Sequence, residues 1–252
     1  MTAAVPVRTP LPSALAGQTV VIVGGSSGIG LAAGALLAGI GARAVLVGRD
    51  KDRLDAAVST VRQAIGVAAN VTDEEALAGI FDQAGEVHHV LVTAGGVSGA
   101  GTVAQATAED LMTAYRDRVW GAFAVARTAA TRLPAGGSIT LTSGTMLARP
   151  QPGMAGPLAA VGGVETLTRA LAVELAPERL RVNAVRYGAF DTPLLRGMAG
   201  LDTDEAVARA GATTPLGRYG TAEEAAASTL FLMSNPYMTG QVITIDGGQS
   251  LA

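Results

Sequence analysis

The 252-residue chain contains no cysteine, which rules out disulfides, cysteine nucleophiles and thiolate metal sites. Histidine is nearly absent too. His88 and His89 are the only two, placed together just ahead of an apolar run, and they read as a solvated edge rather than as metal ligands or a catalytic base. No metal site is expected, and a serine–histidine–acid hydrolase is disfavoured. Lys51 is the only lysine. Charged residues make up 15% of the chain against 49% hydrophobic ones, so much of the surface is expected to be covered by subunit contacts. The net charge of −3 offers no basic cluster for nucleic acid. No apolar run approaches the roughly 20 residues that cross a bilayer. The N-terminus carries Pro6, Pro10 and Pro12 without the charged-then-apolar order of a secretion signal. Residues 1–16 therefore read as a flexible lead-in, and the protein as cytoplasmic with no membrane partner.

Strand-like apolar runs alternate with helical stretches from end to end. The strands are expected at Thr19–Val23, Ala44–Val47, Gly66–Asn70, Val90–Thr93, Ser138–Thr142, Arg181–Val185 and Val242–Ile245. Helices start near Gly28, Asp50, Asp73, Thr107, Gly153 and Thr221, with Thr72/Glu75 and Thr221/Glu224 spaced as capping boxes. Strands hydrophobic throughout and separated by helices imply a parallel sheet covered on both faces. The expected architecture is a single α/β domain over 17–252, a Rossmann-type doubly wound fold with seven parallel strands. The long connection Gly188–Gly220, with a short helical piece around Asp204–Ala210, follows a strand at the edge where such sheets bind ligands and reads as a substrate lid.

The stretch with most chemical content is Val20–Gly30, Val-Val-Ile-Val-Gly-Gly-Ser-Ser-Gly-Ile-Gly. Four apolar residues form a buried strand, and Gly24, Gly28 and Gly30 turn the chain directly into an apolar helix. Such a turn lets backbone approach a pyrophosphate that rests on the helix N-terminus.

With these features in view, residues 17 to 250 resemble the short-chain dehydrogenase/reductase family. Val23-Gly24-Gly25-Ser26-Ser27-Gly28-Ile29-Gly30 is similar to its Thr-Gly-x-x-x-Gly-x-Gly turn, with valine in place of threonine. Leu91-Val92-Thr93-Ala94-Gly95 resembles its Asn-Asn-Ala-Gly strand end, keeping Ala94 and Gly95. Arg181–Val185 followed by Gly188 and Thr192 resembles the segment that closes over the nicotinamide, and the Asp246-Gly247-Gly248 tail resembles the C-terminal signature. The resemblance implies a nicotinamide cofactor held by Gly24, Ser26, Ser27, Gly28, Ile29, Gly30, Ala94, Gly95 and Thr192. Asn70 stands where the family often has aspartate against the adenine, with the Val71 backbone beside it. The second strand ends at Arg49 rather than at an acid, which favours NADP(H) over NAD(H), because arginine pairs bidentately with a phosphate.

The family's catalytic tyrosine and lysine are missing. Their positions fall at Pro157 and Val161, and no register shift restores them. Arg118 stands at the usual asparagine, and the usual serine falls at Ser143 or Gly144. Three accounts stay open. The first is an oxidoreductase acting on a small, largely apolar carbonyl or alcohol, with Ser143 holding a carbonyl oxygen, Tyr187 donating a proton and Arg118 supplying positive charge. The second is a protein that binds NADP(H) without turnover, and the third is a non-redox enzyme such as a cyclase or dehydratase. Each of the three residues also has a plain structural alternative: a strand-end serine, a tyrosine packed under the lid, an arginine in an ion pair. The lid residues Pro193, Leu194, Leu195, Met198 and Leu201 point to an apolar substrate. Two alanine-rich helices, roughly Thr107–Leu133 and Gly153–Ala176, suit pairing into a homodimer or homotetramer.

Overall fold

The computed structural model describes residues 12–252. Every run expected as a strand forms one: β1 (Thr19–Val23), β2 (Arg43–Gly48), β3 (Ile65–Ala68), β4 (His89–Val92), β5 (Ser138–Gly144) and β6 (Arg181–Tyr187), with Val242–Ile245 as β9. Two short strands, β7 (Phe190–Asp191) and β8 (Gly220–Thr221), close the base of the Gly188–Gly220 connection as a separate parallel pair. The main sheet is 7-stranded in the order β3-β2-β1-β4-β5-β6-β9, and all of its pairs are parallel.

The period-2 geometry of a strand explains how both faces are filled. In β1, Val20 and Ile22 enter one core with α1 (Gly28–Gly39), α2 (Lys51–Thr60) and α9 (Ala222–Ser234). Val21 and Val23 enter the other, beneath α3 (Glu74–Ala84), α4 (Ala108–Tyr115), α5 (Gly121–Ala130) and α6 (Ala155–Glu174). The strand order reverses between β1, which leads to β2, and its other neighbour β4. That switch opens a crevice at the carboxyl ends of these strands. The connection after β6 holds α7 (Pro193–Ala199) and α8 (Asp204–Gly211), the second close to the helical piece expected there.

Several local expectations change. Residues 1–11 of the anticipated lead-in lie outside the described residues. Residues 12–16 are ordered, because Ser13–Leu15 makes a 3-10 turn that buries Leu15 in the α1 core. The cap of α3 is Asp73, not Thr72: its carboxylate accepts from the amides of Glu75 and Ala76, and the Thr72 hydroxyl donates to Asn70 Oδ1 instead. The Thr221/Glu224 capping box forms as expected, and a second box, Thr107/Asp110, opens α4. The long helix anticipated over 107–133 is interrupted by a π-helical turn at Arg116–Trp120, between α4 and α5. Such a turn shifts the angular position of the side chains that follow.

The histidines also differ from a solvated edge. His89 is buried at the start of β4, where Nε2 donates to Gln18 Oε1 at 2.7 Å and Nδ1 accepts from the Ser138 hydroxyl at 2.8 Å. His88 Nδ1 accepts from the Thr19 amide. Burial, with help from the Arg181 and His88 charges, pushes His89 down to about 3, so it is neutral in the fold. Arg181 is buried as well, donating to the carbonyls of Leu232, Met233 and Met238 and tying the end of α9 to β6.

Two consequences can be measured. The unfolded chain protonates His89 near 6.5 and the folded chain only near 3, so its contribution is present above pH 6.5 and is lost as pH falls towards 3. That loss amounts to roughly 5 kcal/mol if followed to the end. In urea titrations the gap between wild type and His89→Gln should narrow steadily over that range, and parallel curves would refute the buried neutral imidazole. Separately, Asp73→Ala should cost about 1 kcal/mol in the same titrations and Thr72→Ala much less, since only Asp73 satisfies helix amides.

Candidate functional site

The glycine turn sits at the switch point between β1, β2 and β4. Gly24 has φ of +89°, and its amide donates to Val47 O in β2. Gly30 lies so close to the turn that a Cβ would stand 2.3 Å from Gly24 O and 2.7 Å from Thr93 Oγ1. Glycine at both positions lets the first turn of α1 rest on backbone. Asp50, Asp73, Thr107, Thr192, Thr203 and Thr221 cap their helices with side-chain oxygens, whereas Ser27 at the start of α1 makes no such bond. The amides of α1 are thus left for an anion. Above them, a Cβ at Gly28 would meet nothing nearer than Thr192 at 3.5 Å. Thr192 caps α7 through Leu195 N, so the lid helix begins over the turn.

Around this cradle the other expected cofactor residues fall into place unevenly. Ser26 Oγ approaches Gly48 at the end of β2, and Ile29 packs against the α1 core. Arg49 is exposed at the β2 tip. Arg53, not among the residues expected at the cofactor, reaches back from α2 so that Nη2 donates to Ser27 Oγ at 3.3 Å. It lies in the first turn of α2, four residues after Arg49 at the β2 tip. Lys51 is paired with Asp55 at 2.6 Å. Asn70 Oδ1 is occupied by the Thr72 amide and hydroxyl, leaving its amide nitrogen as a donor, and Val71 packs on the core beside it. The Ala94 amide donates to Val23 O. Gly95, at φ +144°, lies under the side chain of Arg118. The turn, the open α1 amides and Arg53 at Ser27 fit the pyrophosphate and adenosine portions of a dinucleotide.

At the other end of the crevice, the three residues considered for catalysis are not brought together. Tyr187 is buried beneath α9, because Val185 and Tyr187 occupy the face of β6 opposite α6. Its hydroxyl donates to Ala225 O at 2.9 Å and lies 3.2 Å from Ser228 Oγ; burial pushes its pKa well above the usual phenol range. This placement removes it as a proton donor to the crevice. Ser143 faces α6, where its hydroxyl donates to Glu165 Oε1 at 2.6 Å. A Cβ at Gly144 would meet only Tyr187 O at 3.9 Å, so Gly144 rather than Ser143 borders open space.

Glu165 was not anticipated. Pro157, Val161 and Glu165 form one buried stripe along α6, four residues apart. Arg186 in β6 donates to Glu165 from Nε at 2.8 Å and from Nη2 at 2.6 Å, a bidentate pair beside Ser143. Burial would raise the Glu165 carboxyl, but the hydrogen bonds from Arg186 and Ser143 outweigh it and hold the group below its usual range. An acid on an otherwise apolar helix face was the visible signal. Its partner could not be read, since Arg186 lies in another strand. Arg118, on the π-helical turn, donates from Nε to Gly96 O at 3.1 Å, and burial lowers its pKa against the pull of Asp117.

Known proteins agree with this architecture. A family model described as enoyl-(acyl carrier protein) reductase matches residues 23–250. Carbonyl reductase family member 4 of Danio rerio is 32% identical over 237 residues, covering 92% of this chain and 97% of that protein. The MalC reductase/Diels-Alderase of Malbranchea aurantiaca superimposes with a TM-score of 0.88 at 30% identity, over 96% of this chain and 99% of that one. An apo short chain oxidoreductase from Pseudomonas aeruginosa PAO1, described as containing an atypical catalytic center, superimposes at 0.86 with 28% identity, over 94% and 99%. A single sheet order, one glycine turn and matches running nearly end to end lead to one assignment: the chain belongs to the short-chain dehydrogenase/reductase family of nicotinamide-dependent oxidoreductases.

Proposed function

We propose that the protein is an NADP(H)-dependent oxidoreductase that acts on a small carbonyl compound, or the matching alcohol, without a tyrosine–lysine relay. The observation that carries this reading is the uncapped N-terminus of α1, set over the glycine turn, under Thr192 and met at Ser27 by Arg53. The Arg53 guanidinium at Ser27, an exposed Arg49 at the β2 tip and no acid there suit a 2′-phosphate and do not suit the bare ribose hydroxyls of NAD(H). When bound, the nicotinamide supplies or accepts the hydride. Reduction of a carbonyl would also need one proton on the oxygen, which solvent would supply because no tyrosine or lysine stands at Pro157 and Val161.

The chain's own part in this chemistry narrows to Arg118. With the Ser143 hydroxyl committed to Glu165 and that of Tyr187 to Ala225, Arg118 keeps N–H donors open at the crevice end of β4. A guanidinium there steadies the negative charge that grows on a carbonyl oxygen. Ser143, Glu165 and Arg186 hold α6 against β5 and β6 behind the site. The lid contributes Leu194 and Met198, both substantially exposed and suited to an apolar substrate body. Arg196 pairs with Asp191 and Asp204, linking α7 and α8 into one unit. A second reading, binding of NADP(H) without turnover, is favoured by the buried Pro157 and Val161, which offer no proton at the family's catalytic positions.

No helix among the described residues is long and apolar enough to cross a membrane. Cytoplasmic work and a homodimer or homotetramer belong to the same reading. Leu111, Met112 and Tyr115 on α4 and Val173 on α6 are exposed, as helices that pair between subunits would leave them in one chain alone.

Nicotinamide fluorescence titrations test the cofactor assignment. NADPH should bind more tightly than NADH. Arg49→Ala and Arg53→Ala should each weaken NADPH by about fivefold to tenfold, as expected for loss of one exposed charge-assisted bond, with little change for NADH. Equal affinity for the two nucleotides would sink the 2′-phosphate role. Carbonyl-dependent oxidation of NADPH separates turnover from binding alone. Light scattering should return a mass two or four times that of the 25.2 kDa chain, and a monomer would refute the paired helices.

A further inference from the structure

At the carboxyl ends of β4 and β5 one guanidinium, that of Arg118, has no carboxylate bonded to it among the described residues. The π-helical turn carries Arg118 across Gly95, where the backbone φ of +144° and the missing side chain make room. A Cβ at Gly95 would lie 2.7 Å from Arg118 Cδ and Nε and 2.8 Å from Cζ. Nε is spent on Gly96 O, while neither Nη atom has a hydrogen-bond acceptor among the described residues. The acids that might answer it are engaged elsewhere. Asp117 accepts from the Ser98 hydroxyl at 2.7 Å, and Glu165 is held by Arg186 and Ser143. The other side chains around it are Val92, Ala94, Ala122, Leu141, Thr142 and Val164, all uncharged.

A half-buried guanidinium whose outer nitrogens have no protein acceptor offers a charge-assisted pair to an anion that arrives. Its two outer nitrogens form a planar fork matched to a carboxylate. A phosphate is less suitable, since the cradle for the cofactor's pyrophosphate lies on α1 and its second phosphate belongs near Arg49. The lid helix α7 carries exposed apolar surface at Leu194 and Met198. We propose that the substrate is an oxo acid, a carbonyl with a free carboxylate on a short apolar chain, whose carboxylate is held by the Arg118 fork. In a 2-oxo acid the ketone oxygen lies beside the carboxylate, so one guanidinium both anchors the molecule and faces the oxygen that becomes the alcohol. This rests on the oxidoreductase reading above and narrows its substrate from a neutral carbonyl to an anionic one.

The test is calorimetric titration of the full-length protein with 2-oxohexanoate, 2-oxohexanamide and 2-hexanone, with and without NADP+. The acid should bind about tenfold more tightly than the amide or the ketone, as expected for one charge-assisted pair. Arg118→Gln should erase that preference by bringing acid binding down to that of the amide, while Arg118→Lys, which keeps the charge and loses the fork, should fall between. NADPH affinity should be unchanged in both variants. Equal binding of acid and amide by the wild type would overturn the proposal, whatever the stability of the variants. A loss of NADPH binding in Arg118→Gln equal to its loss of acid would overturn it too, by making the cofactor the anion. Acid binding by a wild type that fails to bind NADPH would instead remove the oxidoreductase reading and leave the carboxylate site standing.

Discussion

The first turn of α1 lies on the carbonyl of Gly24, an approach that only glycine at position 30 permits. From that contact follow the direction of α1, the position of its open amides and the depth of the crevice between β1 and β4. The lid is set by it as well, since Thr192 begins α7 directly over Gly28. The parallel sheet supplies the frame, but the frame would be an ordinary doubly wound core without this one close approach of helix to turn. Substitutions elsewhere in the core change packing, whereas this contact decides whether an anion can reach helix amides at all.

At the opposite end of the crevice the chemistry is governed by which polar groups are already satisfied. Buried hydroxyls and carboxylates take partners wherever geometry offers them. Ser143 takes Glu165, Glu165 takes Arg186, and Tyr187 takes Ala225 O. Each of these bonds removes a group from the set available to a substrate. Arg118 is the exception because the π-helical turn presents it over two glycines, Gly95 and Gly96, with one bond made and its fork open. A site that lacks a proton relay yet retains an exposed fork of donors is suited to binding and electrostatic stabilisation.

Much of the fold was legible from local pattern. β1 to β6 and β9 were found within a few residues, because buried strands of Val, Ile and Leu between helical stretches have little alternative. The Thr221/Glu224 box was readable for the same reason, a local spacing with one geometric outcome. Thr72 was misread as a cap since it and Asp73 are both good caps, and only the chain path from Asn70 decides between them. His89 looked like an edge residue because its partners, Gln18 and Ser138, lie 71 and 49 residues away. Tyr187 was assigned to the crevice on position alone, while strand alternation turns it to the other face.

What the sequence determined by itself was therefore what depends on near neighbours: the strands, most helix starts, the glycine turn, the basic tip of β2, and the loss of acid–base groups at Pro157 and Val161. Tertiary structure alone decided which groups meet. The Ser143–Glu165–Arg186 cluster joins a helix to two strands, Arg53 folds back to Ser27, and Arg118 stands open because every nearby acid is engaged elsewhere. The reason is physical: a side chain's environment is set by contacts across the sheet, and those contacts have no fixed spacing along the chain.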